Sequence, residues 1–391
     1  MNLHEFQAKE LLAQHGVPIP RGRIAANGAE AENLAHRLGP GPFVVKAQVR
    51  AGDREASGGV RFVQSASSAG RAAASMIGHP LVTAQTGPRG QQVRWAYIEE
   101  AIPFVQSLYC AVVVDTTRGE IVLLAGDNGT VSPGQKSPPR PAAISRTPLQ
   151  LGHDGASGDY ESAARATGIN EALVPRLAKR MAQLADAAVA LDATLVEVNP
   201  LAVTYDGDLV ALDAKVTIDD NALFRHPDLA ALHEVSETED GDPVVLAAQH
   251  HQINYVGLDG EIGIVVNGAG LALATLDVLA DAGGNAANFM DIRTTATSLD
   301  IAYGLELIAA NPRVRVVLVN VHGGGMQRCD TIADGIGIAM RRIGQSVPLV
   351  VRLAGNNADF AAVRLRSYGV AFTEASDMWD AAQKVVQFAN G

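Results

Sequence analysis

The stretch TLVEVNPLAVTYDGDLVALDAKV, Thr194 to Val216, concentrates the residue types best suited to chemistry. Two alternating apolar strands flank Asp206-Gly207, a pair that favours the tight turn of a hairpin. Pairing about that turn sets Asn199 roughly opposite Asp213, with Glu197 two residues before the first and Lys215 two after the second. Residues two apart in a strand share a face, so Glu197, Asn199, Asp213 and Lys215 gather on one side. A carboxylate and an amide offer the hard oxygens that Mg²⁺ takes, the ion keeping waters and drawing its other oxygens from nucleotide phosphates. A solvated polar face is the alternative; the strongly apolar flanks and the clustering favour a metal.

A second group lies in PFVVKAQVRAGDREASGGVRF. Lys46 ends an apolar strand, where a buried cation is costly without a partner. Nucleotide phosphate is one such partner and a nearby carboxylate the other. Gly52, Gly58 and Gly59 allow a loop whose backbone N–H groups face phosphate oxygens, yet Asp53 and Glu55 put two anions in the same place.

Two more glycine-rich turns follow. In VVNGAGLALAT, Gly268 and Gly270 begin a dinucleotide fingerprint, but Leu273 stands where its third glycine belongs. Asp291, at a suitable distance for a ribose contact, keeps an NAD site as a minor alternative. In NVHGGGMQRCDTIADG, three glycines end a strand just before a helix. Free N–H groups and the positive end of the helix dipole suit an anion there, at the edge where parallel sheets bind ligands.

These residues need two frameworks to position them. From Met1 to about Arg225, short strands alternate with helices and long loops, including GDNGTVSPGQKSPPRPAAISRTP. The first helix, in MNLHEFQAKELLAQHGVPIPRG, is read with an apolar face of Leu3, Phe6, Leu11 and Leu12. From about Gly260, strands buried on both faces alternate with helices, the pattern of a doubly wound parallel sheet. The acidic HPDLAALHEVSETEDGDPVV between them reads as a linker, giving domains 1–240 and 241–391.

A length of 391 residues suits two or three domains, and 47% hydrophobic with 19% charged residues supports buried cores rather than disorder. A net charge of −11 argues against a general nucleic-acid binder, which needs a basic face. Two distant cysteines, Cys110 and Cys329, give neither a disulfide framework nor a zinc site. With no signal-peptide pattern and no apolar run of about 20 residues, a cytoplasmic globular protein is expected.

Ordered motifs then carry a resemblance along nearly the whole chain: MNLHEFQAKELL, VVKAQVRAG, PLVTAQTG, EVNPL, LDAKVTIDDNALFRHPDL, NYVGLDGEIGIVVNGAGLA, RCDTIADGI and VPLVVRLAGNNA. The chain resembles the beta subunit of succinyl-CoA synthetase and related ADP-forming carboxylate–CoA ligases, malate–CoA ligase-like members included. The resemblance implies an α/β protein, an ATP-grasp domain followed by a flavodoxin-like domain. It implies ATP or GTP with Mg²⁺ in the first, and phosphate passing to a histidine of a separate alpha subunit that also holds most of the CoA site, in a heterodimer or heterotetramer. An acyl phosphate then forms from a carboxylic acid, and CoA displaces the phosphate. By position, Lys46, Asp53, Arg54, Glu55, Glu99, Ile102 and Ser107 are the nucleotide residues, and Asn199 and Asp213 the Mg²⁺ ligands. Glu197 lies near the incoming histidine, and Asn267, Arg293, Gly324, Gly325 and Met326 at the acid.

The departures are specific. The family's phosphate lid looks like Gly-Gly-Arg-Gly-Lys-Ala-Gly-Gly; here Gly52 to Gly59 reads GDREASGG, which keeps Arg54 but opposes phosphate by about 1 kcal/mol or more per exposed anion. A family glutamate is Ser107. At the acid end, Asp-Val-Gly-Gly-Gly-Ala has become DIRTTAT, and Phe-Gly-Gly-Ile-Val-Arg has become HGGGMQR. Arg293, Thr294, Thr295 and His322 add donors for an acid more polar than succinate: malate, a tricarboxylate or a sulfonate. The competing expectation is a non-catalytic or regulatory paralogue with an impaired lid.

Overall fold

The computed structural model describes residues 1–52, 54–86, 90–128, 143–152, 155–232, 243–251, 253–324, 327–344 and 347–391. The chain divides into two compact units, Met1–His233 and Glu234–Gly391.

The first unit holds two main antiparallel sheets, besides a two-stranded pairing of Pro80–Leu81 with Gln91–Gln92. The smaller uses β1 (Gly22–Ala25), β2 (Phe43–Ala47), β3 (Val60–Val63) and β4 (Ala96–Glu100) in the order β1-β4-β2-β3. Alternation decides its faces: Phe43, Val45 and Ala47 pack with Ala31 and Ala35 of α2 (Gly28–Leu38) and with Ala69, Ala73 and Met76 of α3 (Ala66–Met76). Lys46 therefore emerges on the opposite face.

The larger sheet runs β8-β7-β6-β5-β9-β10, with β11 also on β9. These strands are β5 (Phe104–Asp115), β6 (Glu120–Asp127), β7 (Ser145–Gly152), β8 (Gly155–Ser157), β9 (Ala193–Thr204), β10 (Leu209–Ala211) and β11 (Ala214–Ile218). Beyond the short α4 (Tyr160–Ala166), α5 (Val174–Ala190) buries Leu177, Met181, Leu184, Ala185 and Ala188. That spacing is one face of a helix, and it covers Leu108, Val112, Leu123 and Val196 of the sheet. Burial pushes the Cys110 thiol in this core up to about 12.

The first helix, α1 (Glu5–Gln14), corrects the amphipathic reading. Leu12 is buried, but the other buried residues of the helix are Glu5, Ala8 and Lys9, two of them charged, while Phe6 and Leu11 are only half-buried.

In the second unit α6 (Pro243–His250) leads to β12 (Ile253–Gly257), neither of which the strand–helix pattern from Gly260 contained. Then come β13 (Ile262–Val266), α7 (Ala269–Asp281), β14 (Asn288–Ile292), α8 (Ser298–Ala309), β15 (Val316–Gly323), α9 (Cys329–Ile343), β16 (Leu349–Gly355), α10 (Ala358–Ser367), β17 (Thr373–Glu374) and α11 (Met378–Asn390). The sheet order is β12-β14-β13-β15-β16-β17, with β12 antiparallel and the others parallel. Counted from β13, that is the flavodoxin-like order 2-1-3-4-5. Ile301, Ile332 and Leu365, from α8, α9 and α10, share one core with one face of the sheet; Ala272, Leu279, Ala381 and Val385, from α7 and α11, share another with the opposite face. Among the described residues no helix is long and apolar enough to cross a membrane.

Candidate active site

The hairpin forms around Thr204 to Asp208, with Gly207 at φ 73° in the turn. Glu197 pairs in register with Lys215, and the Asn199 N–H donates to the Asp213 carbonyl at 3.3 Å. Pairing of β9 with β5 slips between Val198 and Leu201, where Pro200 has no N–H to give the ladder. Asn199 sits in that slip. Its Oδ1 accepts from Asn128 Nδ2 at 2.7 Å, and the Asn128 N–H donates to the Ser107 carbonyl at 3.0 Å.

Beside Asp213 lies a buried network of six charged groups. Lys46 Nζ reaches Glu5 Oε1 at 2.8 Å, Glu99 Oε1 at 2.7 Å and the Leu212 carbonyl at 2.5 Å. Lys9 Nζ bridges Glu5 at 2.9 Å and Glu99 at 2.5 Å. Arg54 gives Nη1 to Glu5 Oε2 at 2.8 Å and Nη2 to both oxygens of Asp213 at 2.8 Å. Lys9, Lys46 and Arg54 thus balance Glu5, Glu99 and Asp213. Burial would raise the Glu5 carboxyl, but Lys46, Lys9 and Arg54 outweigh it and hold it well below the ordinary range. Burial likewise opposes charge on Lys46 and Arg54, and the surrounding carboxylates hold both above their usual values.

The Lys46 partner is therefore a pair of carboxylates, Glu5 and Glu99. Glu99 is 2% exposed and spends both oxygens on lysines. The lid loop differs from the expectation of free N–H groups. Gly52 N–H donates to Gln85 Oε1 at 2.8 Å, Gly58 N–H to the Glu55 carbonyl at 3.1 Å and Gly59 N–H to the Arg54 carbonyl at 2.7 Å. Glu55 is exposed, Ile102 is half-buried in the link from β4 to β5, and Ser107 is buried on β5. Asp53 lies outside the described residues.

The donor set fits a hard divalent cation. Asn199 on β9 carries an amide oxygen opposite the carboxylate of Asp213, which lies between β10 and β11, and Asn128 Oδ1 is buried without a partner among the described residues. Arg54 stands on the Asp213 carboxylate, where such a cation would be. Glu5, Lys9 and Asn128 were not singled out in the sequence. The i, i+4 spacing of Glu5 and Lys9 was the available signal, but an exposed helix face produces it as readily.

In the second unit, the C-terminal ends of β13 and β15 flank the point where strand order reverses, the position at which such sheets bind ligands. Asn267 follows β13; it donates Nδ2 to the His322 carbonyl at 2.8 Å and accepts the His322 N–H at 2.9 Å. Gly324 and Gln327 exchange backbone bonds at 3.1 and 3.0 Å, closing the loop that contains Gly325 and Met326, which lie outside the described residues. The ends of β15 and β16 approach closely: a Cβ on Gly355 would lie 2.0 Å from the Gly323 carbonyl. Asp291, weighed as a ribose contact, instead accepts the Gly268 N–H at 2.5 Å and Asn254 Nδ2 at 3.3 Å. Arg293 is exposed and donates twice to Asn254 Oδ1, at 3.2 and 3.0 Å.

Three buried polar atoms of this unit have no partner among the described residues: Gln327 Nε2, Asp330 Oδ1 and Arg352 Nε. Burial raises the Cys329 thiol, with Asp330 adding to the shift and Arg352 opposing it.

Comparison with known proteins agrees with this fold. Residues 2–203 match an ATP-grasp domain and residues 265–386 a CoA-ligase domain. The chain is 42% identical over 391 residues, all of both chains, to subunit beta of an ADP-forming succinate–CoA ligase from Solibacter usitatus. It is 43% identical to the protein of the same name from Acidiphilium cryptum, covering 99% of this chain and 98% of that one. The fold is also that of an ATP citrate lyase from Methanothrix soehngenii solved with citrate and coenzyme A, at TM-score 0.74 and 17% identity over 99% of each chain. The chain belongs to the beta-subunit family of ADP-forming succinate–CoA ligases, and is thus the subunit of an acid–thiol ligase.

Proposed function

We propose that this chain binds Mg²⁺ and ATP or GTP in its first unit and drives phosphorylation of a histidine on an alpha subunit. In its second unit it takes succinate or a more polar acid, such as malate, a tricarboxylate or a sulfonate. The observation that carries the reading is the convergence of buried Lys46 and Arg54 on half-buried Asp213, with Asn199 beside it, in a charge-balanced network. Asn199 and Asp213 would hold the cation, which supplies charge neutralisation at the nucleotide phosphates. Lys46, kept protonated by Glu5 and Glu99, is a fixed positive charge beside them. Arg54 would release Asp213 for the cation to bind, which makes Nη2 available to phosphate while Glu5 and the Ala47 carbonyl keep Nη1. Glu197, two residues from Asn199 on β9, would act on the incoming histidine as acid or base. The acid would lie at the Asn267–His322 turn, its negative charge met by the N-terminal end of α9. The phosphoryl group goes from nucleotide to histidine to acid, and CoA, held mainly by the alpha subunit, displaces it as phosphate.

A non-catalytic role is not favoured for a chain that matches ligase subunits over its full length. Calorimetry of Mg²⁺ with ATP, GTP or ADP on wild type and Asp213→Ala tests the nucleotide site: binding is expected in wild type and lost in the variant. Turnover of succinate, malate, citrate and a sulfonated dicarboxylate analogue with the alpha partner and CoA then ranks the acids. Absence of nucleotide binding both with and without the partner would refute the reading.

A further inference from the structure

Asn128 follows the last residue of β6 and is 5% exposed. Its backbone N–H is held by the Ser107 carbonyl at 3.0 Å, which fixes the residue beside β5, and its side chain reaches past that strand to Asn199 of β9. One end of its side chain is committed, Nδ2 donating to Asn199 Oδ1 at 2.7 Å. The other end, Oδ1, is buried and has no partner among the described residues. A buried amide oxygen without a donor costs about 1–3 kcal/mol, and a carbonyl of this kind has two lone pairs to offer. The two amides are also coupled: the bond from Asn128 determines that Asn199 presents its oxygen, rather than its NH₂, to this bond.

We propose that Asn128 is a third oxygen donor of the divalent-cation site, and that it orients Asn199 within that site. This rests on the reading of Asn199 and Asp213 as cation ligands. A hard divalent ion, or a water bound to it, satisfies the orphaned Oδ1, while the Asn128–Asn199 bond keeps the second amide oxygen turned the same way. Two amides and one carboxylate make a donor set of low net charge. Such a set relies on the negative phosphates of a nucleotide to complete the affinity.

The test uses the full chain with ADP and Mn²⁺ in place of Mg²⁺, reading free Mn²⁺ by electron paramagnetic resonance so that no turnover is needed. Asn128→Ala is expected to weaken Mn²⁺ binding at least about tenfold, whereas Asn128→Asp, which keeps an oxygen toward the ion but loses the bond to Asn199, is expected to weaken it measurably less. Asp213→Ala is the control. Unchanged affinity in Asn128→Ala, with loss in Asp213→Ala, overturns the assignment of Asn128 and leaves the cation site standing. Equal weakening in Asn128→Asp and Asn128→Ala overturns the donor role, because only the bond donated to Asn199 would then matter. Equal Mn²⁺ binding by wild type and Asp213→Ala removes the cation site itself, and this assignment with it. Should Asn128→Ala not fold, Asn128→Ser takes its place: a short side chain with the same polarity that cannot reach the ion.

Discussion

Asn267 and His322 tie together the two strands between which the parallel sheet reverses its order, through a donated bond of 2.8 Å and an accepted one of 2.9 Å. The side chain reads the backbone of His322, near the end of β15 where the loop begins, at both a carbonyl and an N–H. It therefore fixes the loop's position without regard to the side chain of His322.

Asn267→Ala removes both bonds. Each is worth about 1 kcal/mol at a partly exposed position, so stability should fall only modestly. The larger effect is expected on the acid, whose KM rises as the loop loosens. Nucleotide binding, which belongs to the first unit, stays as in wild type. A matched loss of nucleotide affinity would show that the substitution disturbs more than the loop.

Arg54 occupies both oxygens of Asp213 at 2.8 Å. A cation and this guanidinium compete for one carboxylate, so Arg54→Gln is expected to tighten Mn²⁺ binding in the absence of nucleotide by about tenfold, the worth of a charge-assisted hydrogen bond. Titration of Mn²⁺ against the free chain measures it. Unaltered affinity would mean that the ion never meets the Arg54–Asp213 pair.

Glu5 holds Lys9, Lys46 and Arg54 at once. Glu5→Gln leaves three buried cations with two carboxylates, and breaking such a cluster from one side costs about 3–5 kcal/mol. A urea midpoint measures the loss. The pH dependence has a definite sign. The Glu5 value in the folded protein lies well below its ordinary 4.5, so its contribution is complete above that value and is lost as pH falls below it. Lys46 is raised above 10.5, so its contribution persists through neutral pH and is lost only as pH rises beyond that value. Wild type should thus lose stability on acidification, and Glu5→Gln should lose less over the same range.

Gly335 lies where α9 crosses α8: a Cβ there would stand 2.6 Å from Ile301 Cβ and 3.0 Å from the Ser298 carbonyl. Neither neighbour is the far end of a flexible chain. Gly335→Ala should cost about 1–3 kcal/mol through overpacking, despite the better helix propensity of alanine. Thermal unfolding checks it, and a neutral or stabilising result would show that the helices can separate freely.

Much of this arrangement is local and so legible from the sequence alone. The 2-residue period and the Asp206-Gly207 turn determine the hairpin and the opposition of Asn199 to Asp213, because strand faces and tight turns depend on neighbours in the chain. Apolar strands alternating with helices determine the doubly wound second unit for the same reason. The partners of Lys46 were not legible: Glu5 is 41 residues away and Leu212 166, and nothing local says which of a phosphate or a carboxylate meets a buried amine. Glu5 and Lys9 read as the wet side of an amphipathic helix, and only packing of α1 beside Lys46 and Glu99 makes them buried counter-charges. Asn128, 71 residues from Asn199, becomes a candidate donor only when β5, β6 and β9 bring the two amides together. Periodicity determines which way a side chain faces; the charge it meets there is decided by long-range packing, since burial makes every unpaired charge costly until a distant partner arrives.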